Sequence, residues 1–222
     1  MTGENVCKRL PEKEINKSEL NYLTMNNNDR KRTIDKKNIF AIIGSAAENS
    51  SNLKLVKALA HITEDKFNLT VFDNLRELPH FSPELSIGKA PKIILDFRES
   101  INRADGLLIC TPEYVFSIPS GLKNAIEWCV STIVFSNKPT GLITASADGK
   151  KGHEELQLIM KTVEAKFTEQ STLLIQGIKG KINEQGTITD SKTNLDFMTF
   201  IEAFEELFKN SGDTKNIDAV EV

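Results

Sequence analysis

The sequence contains little cysteine, and the three cysteines that it has are scattered. Cys7, Cys110 and Cys129 form no CxxC pair, whereas a disulfide framework or a zinc site needs cysteines at short, regular spacings. Free thiols of this kind are typical of cytoplasmic proteins. We therefore expect no disulfide and no metal site, and we expect Cys110 and Cys129 to be core residues.

The sequence also lacks an excess of charge of either sign. Its 28 Lys and Arg residues nearly balance 31 Asp and Glu, which leaves a formal net charge of −3. A field this weak does not draw a protein onto nucleic acid or onto an anionic membrane. We therefore expect neither nucleic acid nor a membrane as a partner.

Long hydrophobic runs are absent as well. No apolar run approaches the roughly 20 residues that cross a bilayer, and the first thirty residues lack the apolar region of a signal peptide. Residues 1–37 hold few large apolar side chains and many charges, so they cannot bury enough surface to offset chain entropy. We predict a flexible extension over 1–37, a folded domain over 38–210 and a tail over 211–222, in a cytoplasmic protein.

What the sequence does contain is a series of short apolar runs separated by segments of helical periodicity. The runs are IFAII (39–43), LTVF (69–72), GLLIC (106–110), GLITA (141–145) and TLLIQ (172–176). Continuous apolar runs of this length are typical of strands that are buried on both faces. Their alternation with helices predicts an α/β fold with five parallel strands in one sheet.

Three segments between and after these runs predict helices that pack on the sheet. Apolar residues recur at helical spacing over 93–104, 122–129 and 197–208. Pro91 and Pro119 stand near the start of the first two, where a missing N–H costs little. The aromatic stripe of the third is more typical of a core than of a cofactor site.

We expect the three histidines and the single tryptophan to have structural roles and not to bind a cofactor. His61 and His80 are far in sequence from the loops discussed below, and we expect them at the surface or in packing. We expect His153 at a solvated helix start. Trp128 is expected in the core.

The loop GSAAENSSN (44–52) after the first run contains neither lysine nor arginine. A strand-to-helix junction offers unpaired N–H groups and the positive end of the helix dipole, which together attract anions. The loop matches neither GxxxxGK[ST] nor GxGxxG. Its hydroxyl and amide side chains, which could surround one terminal phosphate, are Ser45, Asn49, Ser50, Ser51 and Asn52. Alternatively, Ser50 or Ser51 only caps the helix that begins near Leu53, and the loop alone does not decide between these interpretations.

A second unusual loop follows the third run, within CTPEYVFSIPSGLKNAIEW (110–128). In a five-stranded sheet of order 2-1-3-4-5, ligands bind outside the carboxyl ends of strands one and three. Both loops meet there. A ligand with a phosphate at the first loop and a flat ring against the turn Pro112–Tyr114 is, by its shape, flavin mononucleotide (FMN).

Both loops resemble motifs of the NAD(P)H-dependent FMN reductases, which include quinone, azo-dye and chromate reductases. GSAAENSSN is similar to that family's GSxRxxSxN, and PEYVFSIPSGLKNAIEW is similar to its PEYNxSxPGxLKNAIDW; the resemblance covers residues 38–210. It implies a flavodoxin-like three-layer sandwich, with a five-stranded parallel sheet in the order 2-1-3-4-5 and helices on both faces. It also implies an enzyme that passes hydride from NADPH or NADH through FMN to a quinone-like or other small acceptor, as a homodimer or homotetramer.

The resemblance further implies which residues hold the cofactor. Ser45, Ser50, Ser51 and Asn52 take the phosphate, while Pro112, Glu113, Tyr114 and Val115 line the isoalloxazine ring. A third loop, SADGKKGH (146–153), is similar to the family's Ser-x-x-Gly-x-Gly-Gly turn and places Ser146 and Gly149 at the far side of the ring. No catalytic side chain is required, because the flavin carries the chemistry.

Three positions depart from the family pattern. Ala47 replaces an arginine that is aimed at the phosphate, Val115 replaces an asparagine near the ring, and Lys151 replaces a glycine, where it either narrows access or supplies positive charge. These departures keep a non-enzymatic flavin-binding or partner-binding scaffold open as an alternative. An electron-carrier flavodoxin is disfavoured by the lack of a strongly acidic surface, and a hydrolase by the lack of a GxSxG elbow.

Overall fold

Five parallel strands form the centre of the structure. The computed structural model describes residues 36–209; residues 1–35 and 210–222, with Cys7, most of the predicted extension and the predicted tail, lie outside the described residues. The strands are β1 (Lys37–Ile43), β2 (Phe67–Phe72), β3 (Gly106–Thr111), β4 (Thr140–Ser146) and β5 (Thr172–Gln176). They are parallel and lie in the order β2-β1-β3-β4-β5. The predicted flavodoxin-like sheet is confirmed.

Helices cover both faces of this sheet. They are α1 (Ser51–Ile62), α2 (Pro83–Ser86), α3 (Lys92–Arg103), α4 (Ser120–Glu127), α5 (Lys150–Thr162) and α6 (Ser191–Lys209). Helices α1 and α6 pack on one face, and α3, α4 and α5 pack on the other. Within residues 36–209, no helix has the length and the apolar character needed to cross a membrane.

The core on the α1 and α6 face is rich in phenylalanine. Side chains of successive strand residues point to opposite faces, so Ile39, Ala41 and Ile43 of β1 all contribute to this side. In the apolar stripe of α6, Phe197 and Phe204 are fully buried against them, while Phe208 at the end of the stripe is partly buried. Each such ring contributes about 1.5–3 kcal/mol by leaving water, and the prediction that this stripe is core is confirmed.

The core on the other face surrounds the tryptophan. Trp128 is fully buried, and its Nε1–H donates to the carbonyl of Pro79 at 2.7 Å, so its polar atom has a partner. Pro91 and Pro119 each immediately precede the first residue of their helix. The predicted placement of Trp128 and of both helix starts is confirmed.

Helix α4 ends before Cys129, so the prediction of a helical segment over 122–129 is wrong at its last two positions. Arg98 Nε–H donates to the carbonyl of Trp128 at 2.8 Å, and the Cys129 N–H bonds only three residues back, to Ile126, at 2.9 Å. The chain therefore leaves the helix in a tight turn. Cys110 and Cys129 are both buried and free, as predicted, and burial raises the pKa of the Cys129 thiol to about 12.

The carboxyl ends of the strands meet at one edge of the sheet. The Gly44 N–H donates to the Cys110 carbonyl at 2.8 Å, which ties the end of β1 to β3. A Cβ atom at Gly44 would lie 2.1 Å from Thr111 Oγ1, so no side chain fits where these two strands approach. The first and second loops therefore leave the sheet side by side.

Candidate functional site

A cavity of about 590 Å³ opens where these loops meet. This volume lies within the range of pockets that hold small molecules and cofactors. Of the residues predicted to bind a cofactor, those that line it are Ser45, Ser50, Ser51, Asn52, Pro112, Tyr114 and Ser146. Glu113, Val115 and Gly149 belong to the same loops but do not line it.

The first loop combines a helix cap with free hydroxyl donors. Ser50 Oγ accepts the N–H of Leu53 at 3.1 Å and caps α1, so the capping interpretation is confirmed for Ser50. Ser45 Oγ accepts the N–H of Ala47 at 3.2 Å. A hydroxyl that accepts still has its own O–H to donate. Capping and binding an anion are therefore compatible at this loop.

Asn52 fastens the start of α1 to the sheet. Its side chain is buried; Nδ2 donates to the Ala145 carbonyl at 3.3 Å, and Oδ1 accepts from Cys110 Sγ at 3.3 Å. The amide therefore links α1 to β3 and β4 at the floor of the cavity. One amide hydrogen remains available, because an Nδ2 group has two.

The second loop ends in a two-residue hairpin under backbone strain. Tyr114 and Ser117 pair through two backbone hydrogen bonds, of 2.9 and 3.1 Å. The two residues between them, Val115 and Phe116, have φ angles of 53° and 60°, a region that β-branched and bulky residues rarely occupy. Val115 is 93% exposed, so its side chain points into solvent, whereas Tyr114 lines the cavity.

Two carboxylates clamp the second loop onto α5. Glu113 Oε2 accepts the N–H of Gly152, the third residue of α5, at 2.7 Å. In return, Glu155 Oε2 accepts the N–H of Ile118 at 3.0 Å. Ser146 Oγ donates to the Glu113 carbonyl at 3.4 Å. The carboxylate of Glu113 is therefore a cap for α5, while its backbone faces the third loop.

The third loop places its charged and titratable residues away from the cavity. Gly149, with a φ of 88°, is the residue before α5. Lys151 pairs with Glu154 at 2.7 Å and is largely exposed, so it does not line the cavity. His153 is half-buried with Nδ1 2.9 Å from Thr144 Oγ1, and burial lowers its pKa. The prediction that His153 is solvated is wrong, because α5 packs this side chain against β4.

A fourth loop, which the sequence reasoning missed, closes the cavity. Gly177, Ile178 and Lys179 follow β5 and line it. The Gly177 N–H donates to the Ala147 carbonyl at 3.0 Å, so the fourth loop is tied to the third. The glycine after the fifth apolar run was visible in the sequence, but no motif marked the residues beside it.

A second cavity, of about 580 Å³, lies along α1 and shares Asn49 and Ser50 with the first. Its polar wall includes Lys54, which pairs with Glu184 at 3.0 Å. We place the candidate site in the first cavity because, of these two cavities in the described part of the chain, it is the one that joins the first and second loops. Its donors suit a compact phosphate, and the wall formed by Pro112 and Tyr114 suits a flat ring.

Comparison with known proteins agrees with this chemistry. A family model described as NADPH-dependent FMN reductase matches residues 38–177. The chain is 29% identical over 173 residues to a 2-hydroxy-1,4-benzoquinone reductase from Burkholderia sp, with 75% of this chain and 93% of the relative covered. It is 26% identical over 172 residues to a quinone reductase of Escherichia coli strain K12, with 74% and 91% covered.

Solved structures share the fold. The chain is similar to FerB, a flavoenzyme NAD(P)H:(acceptor) oxidoreductase from Paracoccus denitrificans, with a TM-score of 0.64 and 24% identity. The alignment covers 78% of this chain and 98% of that one. At this identity the likeness concerns the architecture, and the family assignment depends on the match over residues 38–177.

Proposed function

The chain belongs to the NADPH-dependent FMN reductase family, and we propose that it passes hydride from NADPH or NADH through bound FMN to a quinone-like or other small acceptor. As a member of that family it is an oxidoreductase that uses FMN and a reduced nicotinamide. The observation that carries the proposal is the single cavity lined by both Ser50 of the first loop and Tyr114 of the second. The quinone reductases among its relatives support the class of acceptor.

In this proposal the first loop holds the FMN phosphate. Ser45, Ser50 and Ser51 donate through their hydroxyls, and Asn52 through its remaining amide hydrogen. The Leu53 N–H is taken by the Ser50 cap, and the remaining N–H groups at the start of α1 add the positive end of its dipole. Asn52 also keeps this helix start in place through its bonds to β3 and β4.

The second and third loops orient the ring. Pro112 and Tyr114 offer a flat wall, while Glu113 and Val115, which lie outside the cavity lining, hold this loop in place. Ser146 lines the far side, and Gly149, outside the cavity lining, turns the chain into α5. We assign Glu113 no proton-transfer role, because its carboxylate already accepts the Gly152 N–H at 2.7 Å.

Bound FMN supplies the redox chemistry, since its ring accepts a hydride from a nicotinamide and passes reducing equivalents to an acceptor. The side chains listed above bind and orient; none is required to form a bond with substrate. Tyr114 is 45% exposed, so the cavity is open to solvent beside it. A flat substrate can enter there, and broad acceptor tolerance follows from the few specific contacts available.

Anaerobic reduction tests the proposal. Purified protein loaded with FMN should lose its visible flavin absorption when NADPH or NADH is added and regain it when a benzoquinone follows. Steady-state rates with both substrates varied should give parallel double-reciprocal lines, because one site serves both in turn. A protein that takes up no added FMN contradicts the proposal and favours the non-enzymatic scaffold.

A matched pair of variants places the cofactor at the first loop. S51A removes a cavity hydroxyl and should weaken FMN binding about fivefold, since one hydrogen bond contributes about 1 kcal/mol. S100A removes an exposed hydroxyl from α3 and should leave FMN affinity unchanged. Equal affinities for both variants would locate the cofactor elsewhere.

We propose also that the chain forms a homodimer or homotetramer in the cytoplasm. In support, four apolar side chains between 51% and 85% exposed, which we call the apolar patch, are Ile87, Leu95, Val130 and Ile133. The segments that carry them meet at Arg98, which donates to the carbonyls of Ser86 and Trp128. The buried, free thiols of Cys110 and Cys129 fit a reducing compartment.

A further inference from the structure

The walls of the site cavity carry little positive charge. Among the described residues that line it, Lys179 is the one with a cationic side chain. The first loop, residues 44–52, has no lysine or arginine and contains Glu48. A phosphate monoester carries about −1.5 to −2 charges at neutral pH, while a helix N-terminus supplies about half a positive charge. The first loop therefore leaves most of the negative charge of a bound phosphate without a compensating positive charge.

Two other cations near this loop, Arg76 and Lys54, are paired with carboxylates. Arg76 pairs with Glu48 at 3.3 Å and lines a separate cavity of about 70 Å³ behind the loop. Lys54 pairs with Glu184 at 3.0 Å and faces the second cavity, along α1. Within residues 36–209, Lys179 forms no ion pair with a carboxylate, so its charge is free to meet a ligand.

The backbone around Lys179 is held firmly at the cavity. Gly177 turns the chain with a φ of 65°, and its N–H donates to the Ala147 carbonyl at 3.0 Å. Ile178 is buried and anchors the next residue. Lys179 itself is exposed, and its ammonium group lies at the end of a flexible four-carbon side chain. Its ammonium can therefore face the cavity without moving the main chain.

From this arrangement we propose that Lys179 forms an ion pair with the phosphate of FMN and supplies, from the end of β5, the positive charge that the first loop lacks. The inference depends on the proposed function for the identity of the ligand. It assigns a cofactor-binding role to a residue that lies outside the segment matched by the family model, which ends at residue 177.

Flavin titration of the apoprotein tests this assignment. K179M keeps the length of the side chain and removes its charge, so FMN should bind about tenfold more weakly, as expected for a lost charge-assisted hydrogen bond. Riboflavin, which has the ring and ribityl chain but no phosphate, should bind equally well to wild type and K179M. Raising the salt concentration should weaken FMN binding more in wild type than in K179M, because salt screens exposed charge pairs.

Two further variants control for general effects. K181M removes a charge two residues along the same segment, and because Lys181 does not line the cavity, its FMN affinity should match wild type. A47R places a cation in the first loop; in the K179M background it should return FMN affinity to within about threefold of wild type.

The outcomes separate this inference from the proposed function. If wild type takes up neither FMN nor riboflavin, the proposed function is overturned, and this inference with it. If wild type binds FMN and K179M binds it equally well, only the role of Lys179 is overturned. The same holds if K179M loses affinity for FMN and for riboflavin by the same factor. Unchanged FMN affinity with a raised KM for NADPH but not for NADH would also overturn it, since Lys179 would then contact the nucleotide's extra phosphate.

Discussion

Val115 illustrates how one residue can store strain beside a binding site. Its φ of 53° lies in the left-handed region, which costs a β-branched residue roughly 1–2 kcal/mol. Asparagine tolerates this region much better. The backbone conformation of the turn therefore explains why the family motif PEYNxSxPGxLKNAIDW has asparagine at this position. The departure at Val115 therefore concerns the turn more than a contact with the ring, because its side chain points into solvent.

We predict that V115N stabilises the protein. The free energy of unfolding, measured with urea, should rise by about 1 kcal/mol, because asparagine relieves the strained φ angle. V115T is the matched control: it adds a similar polarity but keeps the β-branch, so it should give no such gain. Equal stabilisation by both variants would assign the effect to polarity.

His153 gives the protein a pH-dependent stability. Burial lowers its pKa from the ordinary value of 6.5, while Glu154 opposes this in part. Below pH 6.5 the unfolded chain therefore binds a proton that the folded chain does not, and the free energy of unfolding falls as the pH falls. The stabilisation is fully present above that pH, where the imidazole is neutral in both states.

We predict that H153N flattens this dependence. Between pH about 7.5 and about 5.5, wild type should lose more unfolding free energy than H153N in urea titrations. H80N, which replaces an exposed imidazole, should keep the wild-type loss. A wild-type slope in H153N would show that other groups cause the dependence.

At the scale of elements, two reciprocal hydrogen bonds join the second loop to α5, each made by a carboxylate of one segment to a backbone N–H of the other. Glu113 holds the start of α5, and Glu155 of α5 holds Ile118. Each bond pairs a charged acceptor with a backbone N–H, and Glu113 also complements the helix dipole. The second and third loops therefore keep a fixed distance, which a ring bound between them requires.

We predict that E113A loosens both loops. It should lower the free energy of unfolding by about 1–2 kcal/mol, as loss of a helix cap does, and it should speed amide hydrogen exchange at Gly152. E154A is the control on the same helix, since Glu154 is exposed and pairs only with Lys151 across the surface. Equal effects of the two variants would contradict the capping role of Glu113.

The elements that the sequence predicted well are those with continuous apolar patterns. The runs at 39–43 and 106–110 are buried on both faces, and their strands were placed within two residues. β1 and β2 each begin two residues before their apolar runs, at Lys37 and Phe67, because the two strands pair from their first residues, Lys37 with Phe67. The sheet order then brought the first and second loops together.

Parts of the site were less predictable because they depend on packing between distant segments. The fourth loop is held at the cavity by the hydrogen bond between Gly177 and Ala147. No local sequence pattern predicts this bond. The half-buried position of His153 follows from the rotation of α5 on β4. Capping by Glu113 requires the N-terminus of a helix nearly forty positions away.

At the scale of the whole molecule, the apolar patch is the feature that bears on assembly. We predict that I133K lowers the oligomeric state, because Ile133 is 85% exposed and a buried ammonium opposes association. Sedimentation velocity should give a smaller species for I133K than for wild type at equal concentration. Exposed apolar residues of this kind often mark interfaces.

A second lysine variant controls for added charge. Leu195 lies on α6, which packs on the other face of the sheet, and it is 66% exposed. L195K should sediment like wild type. A monomeric wild type would contradict the proposed oligomer, and equal dissociation by both variants would contradict the role of the patch.

The cavity takes its walls from four segments that are far apart in the chain, and the last of them, residues 177–179, follows the final strand. The cavity is therefore complete only once β5 has been synthesised and has joined the sheet. Ligands that bind only the completed fold stabilise that fold alone. A ligand of this cavity therefore stabilises the finished molecule and gives no stability to a chain that ends before β5.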